Sequence, residues 1–225
     1  MYDNPHPEYS REPPWEEPRL HFFTPLSDKK TNLVATDLSR QTQHALAAGI
    51  TEGADIYYTD GSVDPNTHRA AAAFTHKEET EHFRLPDKSS TLQTELVAIY
   101  KALEHAKTRH RHVTIHTDSL GATQCLKQEH NADNIHLVTS IRAAATEIHA
   151  QRRKINLNLI SSHSGIPGNE QADETARNAL NLPTVNAPVP QPRAQFKSTV
   201  TTALKLTLRS EVRHLAAEGS PSASW

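Results

Sequence analysis

Between Ala54 and Leu182 the chain alternates two kinds of hydrophobic period, and their order limits the folds open to it. Ala54–Thr59 (ADIYYT) is a short apolar run closed by the turn residues Asp60, Gly61 and Ser62, and reads as a strand. Arg69–Thr75 and Thr80–Leu85 are two more strand patterns, the first weakened by its four alanines and the second ended by Pro86. From Ser90 to Thr108 the period becomes helical, with Leu92, Leu96, Ile99, Leu103 and Ala106 recurring at three and four. Val113–Thr117 is a fourth strand, Ser119–Lys127 and Ile135–Arg152 are helices, Ile155–Ile160 is an alternating fifth strand, and Asn169–Leu180 is a last helix. The order β-β-β-α-β-α-α-β-α joins three hairpin-linked strands to βαβ connections. It predicts an α/β fold: a five-stranded mixed sheet with helices on both faces.

The flanks read differently. Six prolines between Pro5 and Pro25 exclude a regular helix or central strand there, so residues 1–52 are expected to be a proline-rich linker, with a short amphipathic piece at Asp37–Ala48. After the 53–182 domain a second proline-rich stretch (PTVNAPVPQPR) leads into a basic amphipathic helix over 194–217, with Phe196, Val200, Leu204, Leu208 and Val212 in register. Residues 183–225 are thus a linker and a C-terminal helix. Trp225 has no stop-like context, and a longer parent chain is expected.

Composition narrows the function classes. A formal net charge of -2 argues against bulk electrostatic binding of nucleic acid, so any such contact must come from a local site. The single cysteine, Cys125, excludes an internal disulfide and a multi-cysteine zinc site, and its surroundings suggest a small buried apolar residue. No apolar run approaches the ~18 residues of a membrane span, and no membrane partner is expected. The polar N-terminus lacks a signal-peptide core. An intracellular setting, nuclear or cytoplasmic, is the expectation. Fifteen histidines are scattered without metal-ligand pairing and are mostly expected on the surface.

Four carboxylates fall where this topology can gather them. Asp60 ends the first strand, Glu95 lies early in the first helix, Asp118 ends the fourth strand, and Asp173 lies early in the last helix. If the first and fourth strands are adjacent and parallel, Asp60 and Asp118 project from neighbouring C-terminal ends, where open α/β sheets place their sites. Clustered carboxylates repel one another unless a cation lies between them, and an oxygen-only donor set selects a hard one, Mg2+ or Mn2+. Singly, each acid has a structural reading: a turn at Asp60-Gly61, a solvated helix residue at Glu95, an N-cap at Asp118-Ser119, an exposed acid at Asp173.

The surroundings of the four acids are TDGS at 59–62, TELVAIYKAL at 94–103, HTDS at 116–119 and SHSGIPGNEQADETAR at 162–177. Together and in this order they resemble ribonuclease H type 1, in the form found in non-LTR retrotransposons, over about residues 54–182. The resemblance implies an endonuclease that hydrolyses the RNA strand of an RNA–DNA hybrid with two Mg2+ ions, Mn2+ being the alternative. Asp60 would bridge both metals, Asp173 would complete the site of the ion holding the attacking water, and Glu95 and Asp118 would hold the ion near the leaving 3′ oxygen. His163 would shuttle protons or assist product release from a glycine-bearing loop. Asn169 would position that loop, and Gly61 and Ser62 would face the minor groove, where the 2′-hydroxyl marks RNA. PPWEEP with its following linker resembles the tether to a reverse transcriptase, implying that enzyme as a partner in the same polyprotein.

The chain also departs from the cellular enzymes: Leu120, Thr91 and Leu92 stand where polar residues often meet the hybrid, and no basic segment separates the middle helices. Two rivals remain at this point. One is a catalytically inactive ribonuclease H-like module that only binds nucleic acid. The other is an integrase-type nuclease, which usually relies on three acids and lacks the HSGIPGN loop.

Overall fold

The computed structural model describes residues 19–23, 50–128, 133–162, 165–190 and 193–218. The helical piece expected at 37–48 and His163 lie outside the described residues. Within them the sheet has six strands, not five. These are β1 (His21–Phe23), β2 (Asp55–Val63), β3 (Ala70–His76), β4 (Glu79–Leu85), β5 (Val113–Thr117) and β6 (Ile155–Leu159). The helices are α1 (Thr91–Lys107), α2 (Leu120–Lys127), α3 (Ile135–Ala150), α4 (Pro167–Ala179) and α5 (Arg193–Glu218).

The strand order is β1-β6-β5-β2-β3-β4. β1, β6, β5 and β2 are parallel neighbours, whereas β3 and β4 are antiparallel hairpin additions. The extra strand, β1, lies inside the expected linker. Three residues between prolines carry too weak a pattern to register as a strand, yet the open edge of β6 offers backbone partners, and prolines are tolerated beside an edge strand. Phe22 packs on the core, Lys127 lies over its ring at 5.5 Å, and Arg19 donates to the Thr146 hydroxyl at 2.7 Å.

Helices cover both faces, as the element order requires. Leu96, Leu103, Cys125, Leu126, Ile141 and Ile148 of α1, α2 and α3 form one core with Tyr57, Ile115 and Leu157 of the sheet. α4 lies on the opposite face, where Gly168 meets the Tyr58 ring and the Thr75 hydroxyl donates to the Gly168 carbonyl at 3.1 Å. The alanine-rich β3, the weakest strand pattern, is buried at every residue. Its small side chains let α1 and α4 approach a central strand from both sides, so packing overrides propensity. Cys125 is buried, as its surroundings suggested.

The segment after Leu182 is docked, not free. Asn186 and Ala187 amides donate to the Arg84 carbonyl at 3.0 and 3.1 Å, and Ala187 is buried in the core. α5 forms as expected, but its large apolar residues are exposed. Steps of four residues advance about 40° beyond a full turn, so the stripe from Phe196 to Val212 winds roughly 160° around the helix and does not hold one face.

Candidate active site

The register of β2 and β5 builds the site. Their last parallel pair is Thr59 and Thr117, so Asp60 and Asp118 follow as neighbours one step beyond it. Glu95 comes from the other direction. Ser90 and Gln93 form a capping box at the start of α1, which fixes the first turn and sets Glu95 against β2. Gly61 permits the approach: a Cβ there would come 2.4 Å from Thr94 Oγ1 and 2.7 Å from the Glu95 amide nitrogen. Asp60, Glu95 and Asp118 each offer a carboxylate oxygen, all within 4.8 Å of one another.

Ser119, not Asp118, caps α2, its hydroxyl accepting from the Ala122 amide at 3.2 Å. The cap reading is therefore met by the neighbour, and Asp118 lines the cleft. The solvated reading of Glu95 fails as well, because Glu95 is buried and its Oε2 has no hydrogen-bond partner among the described residues. Asp173 lies on the cleft wall, outside the tight trio, with its carboxylate held by Arg177 through Nε at 2.9 Å and a second contact from Nη2. The cleft, about 240 Å3, is also lined by Gly61, Ser162, Asn169 and Glu170. Asn169 is buried with an unpartnered side-chain oxygen. Ser62 lies in the β2–β3 ladder opposite Ala71 and is not among these lining residues. Ser162 and Glu170 escaped the sequence reading. Their only signal was membership of the SHSGIPGNEQAD motif.

The electrostatics are those of crowded acids removed from water. Burial first, then the neighbouring Asp118 and Asp173, pushes the Asp60 carboxyl up to about 7, against partial relief from the Gly61 amide and Arg177. Glu95 is pushed well above the ordinary carboxylate range by burial, then by Asp60 and Asp118. An all-oxygen trio, with Asp60 and Glu95 buried, Asp118 half-buried and one Glu95 oxygen orphaned, fits a hard divalent cation, which would hold these groups ionised. Behind the trio, Tyr58 and His116 stack with ring centroids 5.0 Å apart, and burial lowers His116 to about 4, so this ring is neutral at physiological pH.

α4 sits on that stack. A Cβ on Gly168 would fall 2.3 Å from the Tyr58 ring, so glycine is what allows the helix carrying Asn169 and Asp173 to reach the cleft. The RNase H family model matches residues 52–181, more than half of the chain. That span contains every acid of the cleft, and this chain belongs to the RNase H family.

Proposed function

We propose that the cleft hydrolyses the RNA strand of RNA–DNA hybrids by two-metal-ion catalysis, with Asp60, Glu95, Asp118 and Asp173 as metal ligands. The observation that carries this reading is the trio within 4.8 Å, inside the span matched to a family whose substrates are such hybrids. Bound Mg2+ would supply Lewis-acid stabilisation of the attacking and leaving oxygens. The residues supply the rest. Asp60, Glu95 and Asp118 would hold one ion through their clustered oxygens, and Asp60 would also serve the second. Asp173, on the cleft wall beside them, would hold that second ion in exchange for its pairing with Arg177. Gly61 brings a backbone surface without a side chain to the cleft, which suits close approach of a sugar edge, with Ser62 beside it. Asn169 presents its free amide oxygen inside the cleft, and His163 would move a proton from the loop ahead of α4. Water adds across the P–O3′ bond, leaving 5′-phosphate and 3′-hydroxyl ends.

The wider reading is that this nuclease serves a retrotransposon reverse transcriptase, or derives from one, with 53–182 as the catalytic unit. It is supported by the proline-rich flank and PPWEEP. The test is cleavage of a labelled hybrid by the purified protein, with Mg2+ and with EDTA. Cleavage of the RNA strand in Mg2+ alone is expected. Equal cutting of duplex DNA, or full activity in EDTA, refutes the assignment. Binding of the hybrid without any cleavage in Mg2+ or Mn2+ would establish the inactive module instead.

A further inference from the structure

The loops at the other end of the strands carry a second cluster of charge. Val113 and Ile155 are paired at the starts of β5 and β6, so the preceding loops, 108–112 (TRHRH) and 151–154 (QRRK), lie side by side. Arg153 joins them. Its guanidinium is buried and donates to the Arg111 carbonyl at 2.6 Å, the Ala106 carbonyl at 2.9 Å and Gln151 Oε1 at 3.1 Å. The Lys154 amide donates to His112 Nδ1 at 2.9 Å, a second tie. One arginine is thus spent on structure, and Arg111, Arg152 and Lys154 are left exposed on a fixed base.

These three cations have no acidic partner among the described residues. The nearby bases that do have partners are committed elsewhere: Arg109 to Glu79, Lys107 to Glu104 and Glu147, Lys77 to Asp55. The acid in the adjoining turn is Glu52, exposed just before β2, whose Asp55 amide donates to the His112 carbonyl. In a chain of net charge -2, three unpaired cations on two joined loops form a local positive pole.

We infer that this pole binds the phosphate backbone of a duplex nucleic acid, at a segment the cleft does not hold. The chemistry selects that partner. None of the exposed large hydrophobic residues lies in either loop, so the apolar centre that protein docking or membrane insertion needs is missing. Neither loop contains Phe, Tyr or Trp, the larger stacking platforms for a single strand, and their only rings are those of His110 and His112. Phosphate contact needs only fixed cations. β5, five residues long, separates the pole from Asp118, which is roughly 17 Å at strand rise. Val113 and Ile155 open β5 and β6, whereas the cleft lies beyond the last paired residues of β2 and β5, so pole and cleft stand at opposite ends of the strands. The pole is therefore a second contact, and it rests on the nuclease reading only for the choice of polymer.

The test is fluorescence anisotropy of a short labelled DNA duplex in EDTA, from 50 to 200 mM salt. The proteins are the full chain, the variant R111Q/R152Q/K154Q with Arg153 kept, and the control K205Q/R209Q/R213Q on exposed α5. The slope of log K against log salt should become shallower by about 2.7 in the first variant, roughly 0.9 for each cation removed. It should be unchanged in the control. kcat and KM on a short blunt hybrid in Mg2+ should match the parent, and a single strand of equal length should bind more weakly than the duplex. The inference is overturned by an unchanged slope, by the whole effect appearing in the α5 control, by a raised KM on the short hybrid, or by a single strand that binds as well and loses as much. The binding is read without cleavage, so failure of the nuclease assignment leaves this result standing.

Discussion

Asp60→Asn keeps the shape of the side chain at the centre of the trio and removes its charge, and the structure sets the size of the effect. In the folded, metal-free protein the Asp60 carboxyl holds its proton up to about 7, against 3.8 ordinarily. The folded state therefore binds more protons than the unfolded chain between those values. The associated stability is complete below about pH 4 and is lost as pH rises through about 7. One pKa unit corresponds to about 1.36 kcal/mol, so between pH 5 and pH 8 this group should cost the native protein roughly 2–3 kcal/mol. His116 works in the opposite direction. Its pKa is lowered to about 4, so its contribution is present above about 6.5 and is lost as pH falls. His116 is common to both proteins and cancels in the difference. Glu95, raised partly by Asp60, relaxes in the variant and adds to the same sign.

The assay is urea unfolding of parent and Asp60→Asn at pH 5 and pH 8 in EDTA. Going from pH 5 to pH 8, the parent should lose about 2–3 kcal/mol more than the variant. Mg2+ at pH 8 should stabilise the parent and do little for the variant, by preferential binding to the folded state. Parallel losses in the two proteins, to within ~0.5 kcal/mol, would refute the claim that Asp60 is a buried, repelled carboxylate, and the cation fit with it.

Asp118→Asn should lower Mg2+-dependent hybrid turnover by several orders of magnitude with the circular dichroism spectrum unchanged, whereas His163→Ala should lose about 100-fold or less. The reverse order at saturating Mg2+ contradicts the metal-ligand assignment. Gly168→Ala forces a Cβ to 2.3 Å from the Tyr58 ring and should cost ~1–3 kcal/mol in urea unfolding. Adding Tyr58→Leu should recover part of that loss, and strictly additive losses would disprove the contact. A 53–182 fragment should be less stable than a 19–190 fragment, because it forfeits β1 on the β6 edge and the Ala187 segment bonded to Arg84. Equal urea midpoints would show that neither segment contributes.

Much of the architecture is legible in the sequence. The short apolar runs at 54–59 and 113–117, the alternating run at 155–160 and the 3.6 period at 90–108 fall on β2, β5, β6 and α1, because burial selects residue type directly. The acids were legible for a different reason: a carboxylate at a strand end or a helix start is marked by turn and cap residues around it, as TDGS and HTDS show. What the chain could not reveal was set by partners distant in sequence. β1 exists because β6 has an open edge, and three residues carry no period of their own. The buried alanines of β3 are chosen by two helices on opposite faces, not by strand propensity. Glycine at 61 and 168 is dictated by Thr94 and Tyr58, which are 33 and 110 residues away and touch only when the sheet and helices are assembled. The burial that pushes Asp60 to about 7 is likewise a tertiary fact, whereas the Asp173–Arg177 ion pair is an i,i+4 contact within one helix. Sequence specifies charge and period, but dielectric and distance come only from packing.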